Sequence, residues 1–143
     1  MGTHQIIKNG EGKNYNYSQD HCFIKLASNQ THGELCFVED ILKPGFYLPR
    51  HHHKIMLEVF YILEGEVEYG FDDETVVAKA GDTIIVPQNV WHSAKCEKGG
   101  KMLSIFKNGQ FDEYLEYLST LSDEQFEDKA FMEEVSAKFD IYE

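Results

Sequence analysis

The chain is poor in the features that would tie it to a membrane, a nucleic acid or an oxidising compartment. Its 143 residues include three cysteines, three prolines, one tryptophan (Trp91) and one arginine (Arg50). No apolar run approaches the roughly 20 residues of a membrane span, and the polar first twenty residues offer no apolar stretch for a signal peptide. Cys22, Cys36 and Cys96 are odd in number and form no C-x-x-C pair, which fits reduced thiols better than a disulfide framework. The expectation is a cytoplasmic protein with no membrane partner. Positive charge is also scarce, with 13 Lys and Arg against 25 Asp and Glu, a formal net charge of −12. Residues 110–143 hold eleven acidic residues against Lys129 and Lys138, a balance of −9 that leaves −3 for the rest. Such a chain repels phosphate backbones, so nucleic acid is not an expected partner. The acidic tail reads as a solvated helix face.

What is present is a cadence of short apolar and β-branched runs. They occupy 22–27, 34–42, 46–53, 57–63, 66–71, 75–80, 83–86, 91–97 and 102–107, separated by turn-forming pairs such as Pro44-Gly45, Glu64-Gly65 and Ala80-Gly81. Strands this short and this regular predict an all-β sandwich or barrel, and no helix of useful length fits before residue 108. After Gly109 the period changes. Phe111, Tyr114, Leu115 and Leu118 recur at helical spacing, and a second helix is predicted from Ser122, with Gln125 completing a capping box, through Phe126, Ala130, Phe131, Val135 and Phe139. One structural domain is expected, made of an N-terminal segment 1–33 that packs on the barrel or on a partner subunit, a barrel over 34–108 and an acidic helical extension over 109–143.

Two islands carry the chemistry. The first reads Gly45-FYLPR-His51-His52-His53-KIML-Glu58-VFYILE-Gly65, the second Gly81-DTIIV-Pro87-Gln88-Asn89-VW-His92. Successive strand side chains point to opposite faces, so His51 and His53 share one face, while Arg50 and His52 take the other. Imidazole suits zinc, copper, iron and nickel, and a carboxylate widens the choice to manganese.

The first island resembles the first cupin motif at every defined position from Gly45 to Gly65. The second resembles the second cupin motif in Gly81, Pro87 and His92, with Asn89 where glycine is usual and Cys96 where asparagine is usual. Asparagine tolerates the left-handed turn that the glycine would supply. The resemblance covers roughly residues 35–107, and the fifteen residues between the motifs are similar to the spacing of small single-domain bacterial cupins. The tail, with its Gly-x-Phe-Asp-Glu opening and Lys-Phe-Asp-Ile-Tyr close, looks like that of quercetinase-like cupins.

The resemblance implies a double-stranded β-helix, the cupin jelly-roll barrel, followed by two short α-helices. It implies one divalent metal per chain, iron, manganese, nickel, copper or zinc, held by His51, His53, Glu58 and His92. Three imidazoles and a carboxylate leave coordination positions open, which distinguishes a catalytic site from a closed structural one. By strand parity Phe60, Ile62, Ala94 and Cys96 are predicted to line a substrate pocket, and Trp91 to pack on the outer face. The expected function is that of a metal-dependent dioxygenase-like enzyme acting on a small oxygen-bearing organic substrate, with Glu58 as ligand and base. The alternatives are a non-catalytic, sugar-like-binding cupin and a Lewis-acid isomerase or decarboxylase. Homodimers are implied as well.

Overall fold

Between residues 14 and 107 the chain forms ten strands, in a computed structural model that describes residues 2–143. One sheet has the order β1 (Asn14–Asn16), β2 (Asp20–Leu26), β3 (Leu35–Leu42), β10 (Gly100–Lys107), β5 (Leu57–Glu64) and β8 (Thr83–Val86). The other has the order β4 (Phe46–His51), β9 (His92–Cys96), β6 (Glu66–Phe71) and β7 (Thr75–Lys79). All these pairings are antiparallel, and their non-sequential order is that of the double-stranded β-helix expected from the sequence.

Alternation decides what faces inward. Cys36, Val38, Asp40 and Leu42 on β3, Glu58, Phe60 and Ile62 on β5, and Met102, Ser104 and Phe106 on β10 are buried, while their neighbours in sequence are more exposed. An apolar cluster that includes Phe46, Ile62, Val67, Tyr69, Ala94 and Cys96 fills the space between the sheets. A second, around Cys22, Cys36, Val38, Met56, Phe106 and Leu115, joins the N-terminal strands to the tail.

Nine strands fall where the runs predict them. The tenth, β1, is three residues long and polar, with no apolar pattern to announce it, and exists because it pairs with β2. β2 itself pairs with β3, so the N-terminal segment extends the sheet of its own chain.

The tail differs from expectation in one respect: three helices form instead of two. They are α1 (Phe111–Leu118), α2 (Asp123–Glu127) and α3 (Lys129–Lys138). The predicted second helix breaks at Asp128, which sits in extended conformation and accepts a hydrogen bond from the Phe131 N–H at 3.1 Å. Aspartate competes with the helix for backbone donors, so it caps a new helix more readily than it continues an old one. The capping box at Ser122 and Gln125 forms as expected. The helices cover their own barrel: Leu115 and Val135 are buried, and the Asp112 carboxylate accepts from the N–H (3.0 Å) and hydroxyl (3.2 Å) of Ser28. No helix of the described residues is long and apolar enough to cross a membrane.

Candidate metal centre

His51 ends β4 and His92 begins β9, and the antiparallel register places the two directly opposite each other. The ladder skips between Leu48 and His51, where Pro49 has no N–H to continue it. His53 lies just beyond β4. Its carbonyl accepts from the Asn89 N–H at 2.6 Å, and Asn89 has φ 64°, the left-handed turn that its place in the second motif requires. Glu58 comes from the facing sheet, on β5.

These four side chains are buried, and one ligand atom from each lies within 4.8 Å of the others. Their second atoms are accounted for. The Nδ1–H of His51 donates to the Pro49 carbonyl (2.7 Å), that of His92 to the Val90 carbonyl (2.9 Å), and that of His53 to the Asp140 carbonyl (2.8 Å). A carbonyl can only accept, so Nδ1 carries the proton in each ring, and in the neutral imidazole the Nε2 lone pair is turned toward the centre. Across that centre Glu58 Oε2 is 3.3 Å from His53 Nε2, and Oε1 is 3.4 Å from His92 Nε2. Neither contact has hydrogen-bond geometry. His53 Nε2, His92 Nε2 and Glu58 Oε1 are buried without a partner among the described residues.

Buried acceptors facing one another without a donor are costly, and a single divalent cation satisfies them together. The residues therefore fit a metal in donor type, tautomer and convergence. For Glu58 and His51 charge points the same way. Burial pushes the Glu58 carboxyl up, but the close approach of the His53 and His92 imidazoles outweighs it and holds the group at about 2, so it is ionised. Burial, helped by neighbouring His92, pushes His51 down to about 4, so it is neutral and its lone pair is available near pH 7. For His53 burial acts downward, yet the Glu58 contact dominates and its pKa rises.

The cluster opens into a cavity of about 760 Å³. Phe60 lines it as predicted from parity. Ile62, Ala94 and Cys96 do not: they share the inward face but lie in the packed apolar cluster between the sheets, and burial raises the Cys96 thiol pKa. Leu48, Met102 and Phe106 supply apolar wall in their stead, with a polar stretch of Asp20, Asp40 and Ser104, and the tail adds Tyr114 and Ile141. The Ser104 hydroxyl donates to Asp40 at 2.9 Å. Burial first, then the charge of Asp20, pushes the Asp40 carboxyl up to about 8. Arg50 is exposed and stacks over Trp91 at 4.0 Å, and His52 packs on the other residues of that outer face, as the alternation predicts. Asp140, whose carbonyl holds His53, was not predicted from the sequence as a site residue, because it belongs to no periodic pattern.

A double-stranded β-helix with three histidines and a glutamate gathered on its inner wall defines a class: small jelly-roll proteins with a candidate metal centre. Residues 38–106 match the Cupin domain family, and the chain belongs to the cupin superfamily. Quercetin 2,3-dioxygenase of Bacillus subtilis (strain 168) is 26% identical over 114 residues, 79% of this chain. The aligned part is 34% of that enzyme, so this chain spans about a third of the relative it matches. Among solved structures, KdgF from Halomonas sp. has a TM-score of 0.67 at 17% identity, covering 76% of this chain and 99% of that one. An RmlC-like cupin from Shewanella frigidimarina NCIMB 400 has a TM-score of 0.62 at 23% identity, covering 79% and 99%. Both structural likenesses concern the fold alone.

Proposed function

We propose that this cupin is a metal-dependent enzyme of the dioxygenase kind, acting on a small oxygen-bearing organic substrate as a quercetinase does. The observation that carries the reading is the set of donor-free acceptor atoms of His53, Glu58 and His92. Set with His51 at the edge of an apolar cavity, they suit a metal that a substrate can reach. The similarity to quercetin 2,3-dioxygenase supports it. One divalent ion per chain, iron, manganese, nickel, copper or zinc, would be held by His51, His53, Glu58 and His92, and would supply Lewis acidity and an open coordination position. The chain's own residues then have separate tasks. Phe60, Leu48 and Phe106 exclude water and offer flat apolar contact to a ring. Glu58 enters as a carboxylate, and its low pKa means that it takes a proton from a substrate hydroxyl only when the site has made that hydroxyl acidic.

Metal analysis of protein purified without added metal, followed by oxygen-electrode assays with flavonols, catechols and β-diketones, tests the proposal. The expected result is close to one metal ion per chain and oxygen uptake that chelation abolishes. Metal-loaded protein that consumes no oxygen with any of these compounds overturns it.

A second reading rests on Asp20, Asp40 and Ser104, whose hydrogen-bonding groups suit a polyhydroxylated ligand in the same cavity. It covers a sugar-like-binding cupin and a Lewis-acid isomerase or decarboxylase. Thermal shifts with monosaccharides, with and without EDTA, separate the two, because binding alone survives chelation.

We also infer a homodimer in a reducing compartment. On the face of the six-stranded sheet away from the cavity, register aligns Phe37, Ile105, Val59 and Ile85 across four strands, with Leu103 and Tyr61 in the next row. Ile85 is 63% exposed, and apolar patches of this extent mark association surfaces. Light scattering that gave the mass of one 16.5 kDa chain at micromolar concentration would remove this inference.

A further inference from the structure

Asp140 and Tyr142 close over the segment that follows β4, which carries His53 and leads to Glu58. The Asp140 carboxylate accepts from three consecutive backbone N–H groups: Lys54 at 2.8 Å through Oδ1, and Ile55 at 2.9 Å and Met56 at 2.8 Å through Oδ2. The main-chain oxygen of the same residue accepts from His53 Nδ1 at 2.8 Å. Two residues on, Tyr142 exchanges both backbone hydrogen bonds with His52, at 2.9 and 3.0 Å. Outside, the side chains interleave: Arg50 over Trp91, Trp91 against His52, His52 near Tyr142, and Lys54 over Tyr142 at 4.1 Å.

Residues 54–56 lie in the link between His53 and Glu58, so their path sets how far apart those two ligands stand. Three N–H groups converging on a carboxylate form an anion-binding nest, which fixes that path. Met56 is fully buried, so its N–H cannot turn to water if the carboxylate leaves. Asp140 holds this position at φ 64°, a backbone conformation that a side chain adopts at a cost and that persists when surrounding contacts enforce it.

Resting on the reading of His51, His53, Glu58 and His92 as a metal site, we propose that Asp140 is a positioning residue for that centre. Its carboxylate shapes the 54–56 link, and its carbonyl orients the His53 ring. The C-terminal strap and the metal are then coupled, and the coupling is reciprocal: what loosens the strap weakens the metal, and what binds the metal tightens the strap.

The test uses the full chain, stripped of metal and titrated with Co²⁺ alone, as wild type, Asp140→Gly and Asp140→Asn. Glycine keeps the positive φ without strain and removes the acceptor; asparagine keeps one acceptor oxygen. Asp140→Gly is expected to bind Co²⁺ about 10 to 100-fold more weakly, with a changed cobalt d–d absorption band, and Asp140→Asn to recover part of the loss. In wild type, Co²⁺ is expected to slow amide exchange at Lys54, Ile55 and Met56. A tail contact that served stability alone would lower the unfolding temperature and leave the affinity and band of the folded protein as they were, and that result overturns the proposal. If Asp140→Gly does not fold, Asp140→Asn decides: wild-type affinity and band in that variant also overturn it. Wild type that takes up no Co²⁺ removes the metal reading itself, and this inference with it.

Discussion

Metal binding at this site must appear as stability, because the unfolded chain cannot hold four side chains from three separate stretches of sequence in one place. The perturbation is addition of Zn²⁺ or Co²⁺ to metal-free protein. At a free concentration 100-fold above Kd, a ligand of the native state adds about 2.7 kcal/mol. Unfolding entropy near 60 °C is about 2.1 cal/mol/K per residue, so a chain of 143 residues has about 0.3 kcal/mol/K, and the unfolding temperature should rise by about 9 °C. His51→Ala removes one donor of the cluster while leaving the paired contacts of Glu58 with His53 and His92 in place. If the lost donor weakens binding by about 100-fold, the same metal concentration then equals Kd, the added stability falls to about 0.4 kcal/mol, and the shift to about 1 °C. Scanning fluorimetry of both proteins, each referred to its own EDTA-treated state, measures this directly. Equal shifts in the two proteins would show that the metal binds elsewhere, and no shift in wild type at millimolar metal would show that the four acceptors do not form a metal site.

Other consequences follow from single groups. Asp40 titrates from an ordinary 3.8 up to about 8 when folded, because burial and then Asp20 disfavour its charge. The native state therefore holds a proton that the unfolded chain releases, and the stability this group contributes, complete below about pH 4, is lost as pH rises toward 8. Asparagine mimics the protonated carboxyl, so urea midpoints of wild type and Asp40→Asn should lie closest near pH 4 and separate as pH rises toward 8, wild type losing stability that the variant keeps, and parallel curves would contradict the assignment. Glu58→Gln keeps the volume of a buried residue but removes the one formal negative charge of the cluster, so calorimetric titration with Zn²⁺ should show affinity falling by at least tenfold, roughly 1.4 kcal/mol. Phe60→Ala should cost about 3 kcal/mol in urea unfolding, the low end for such a truncation, since one side of the ring already faces the cavity. Ser122→Ala removes the cap of α2 and should cost about 1 kcal/mol, with no effect on metal affinity.

The comparison of sequence with structure separates what periodicity encodes from what it does not. The period of two along a strand says which face a side chain takes, and it placed His51, His53 and Glu58 inside and Arg50 and His52 outside. It carries no information on depth. Phe60 and Ile62 have the same parity on β5, yet one borders the cavity and the other lies away from it in the packed cluster, where side chains such as Val67, Tyr69 and Ala94 fill the space. Ala94 and Cys96 follow His92 in the same way, inward but beyond the reach of a ligand. Helical periodicity has a matching blind spot: Phe126 and Phe131 fit one amphipathic helix, but a single aspartate between them, with backbone donors in reach, was enough to start a new one.

Asp140 shows a different limit. Its importance comes from three backbone donors more than eighty residues away in sequence, and backbone groups are the same for every residue type, so nothing at positions 54–56 marks them as a carboxylate's partners. Ligand atoms leave a trace in the sequence because their chemistry requires particular side chains, whereas the groups that hold the ligands can be drawn from the main chain. All three candidate histidines follow that rule, since Pro49, Val90 and Asp140 orient them through carbonyl oxygens. For Pro49 and Val90 the acceptor lies two residues before the histidine and is supplied by the local path of the main chain, so it would survive most substitutions. For His53 the acceptor is supplied by the far end of the chain, and it depends on the strap remaining docked. The centre is thus built from two local supports and one remote one, and the remote one is where a substitution outside the barrel can reach the metal.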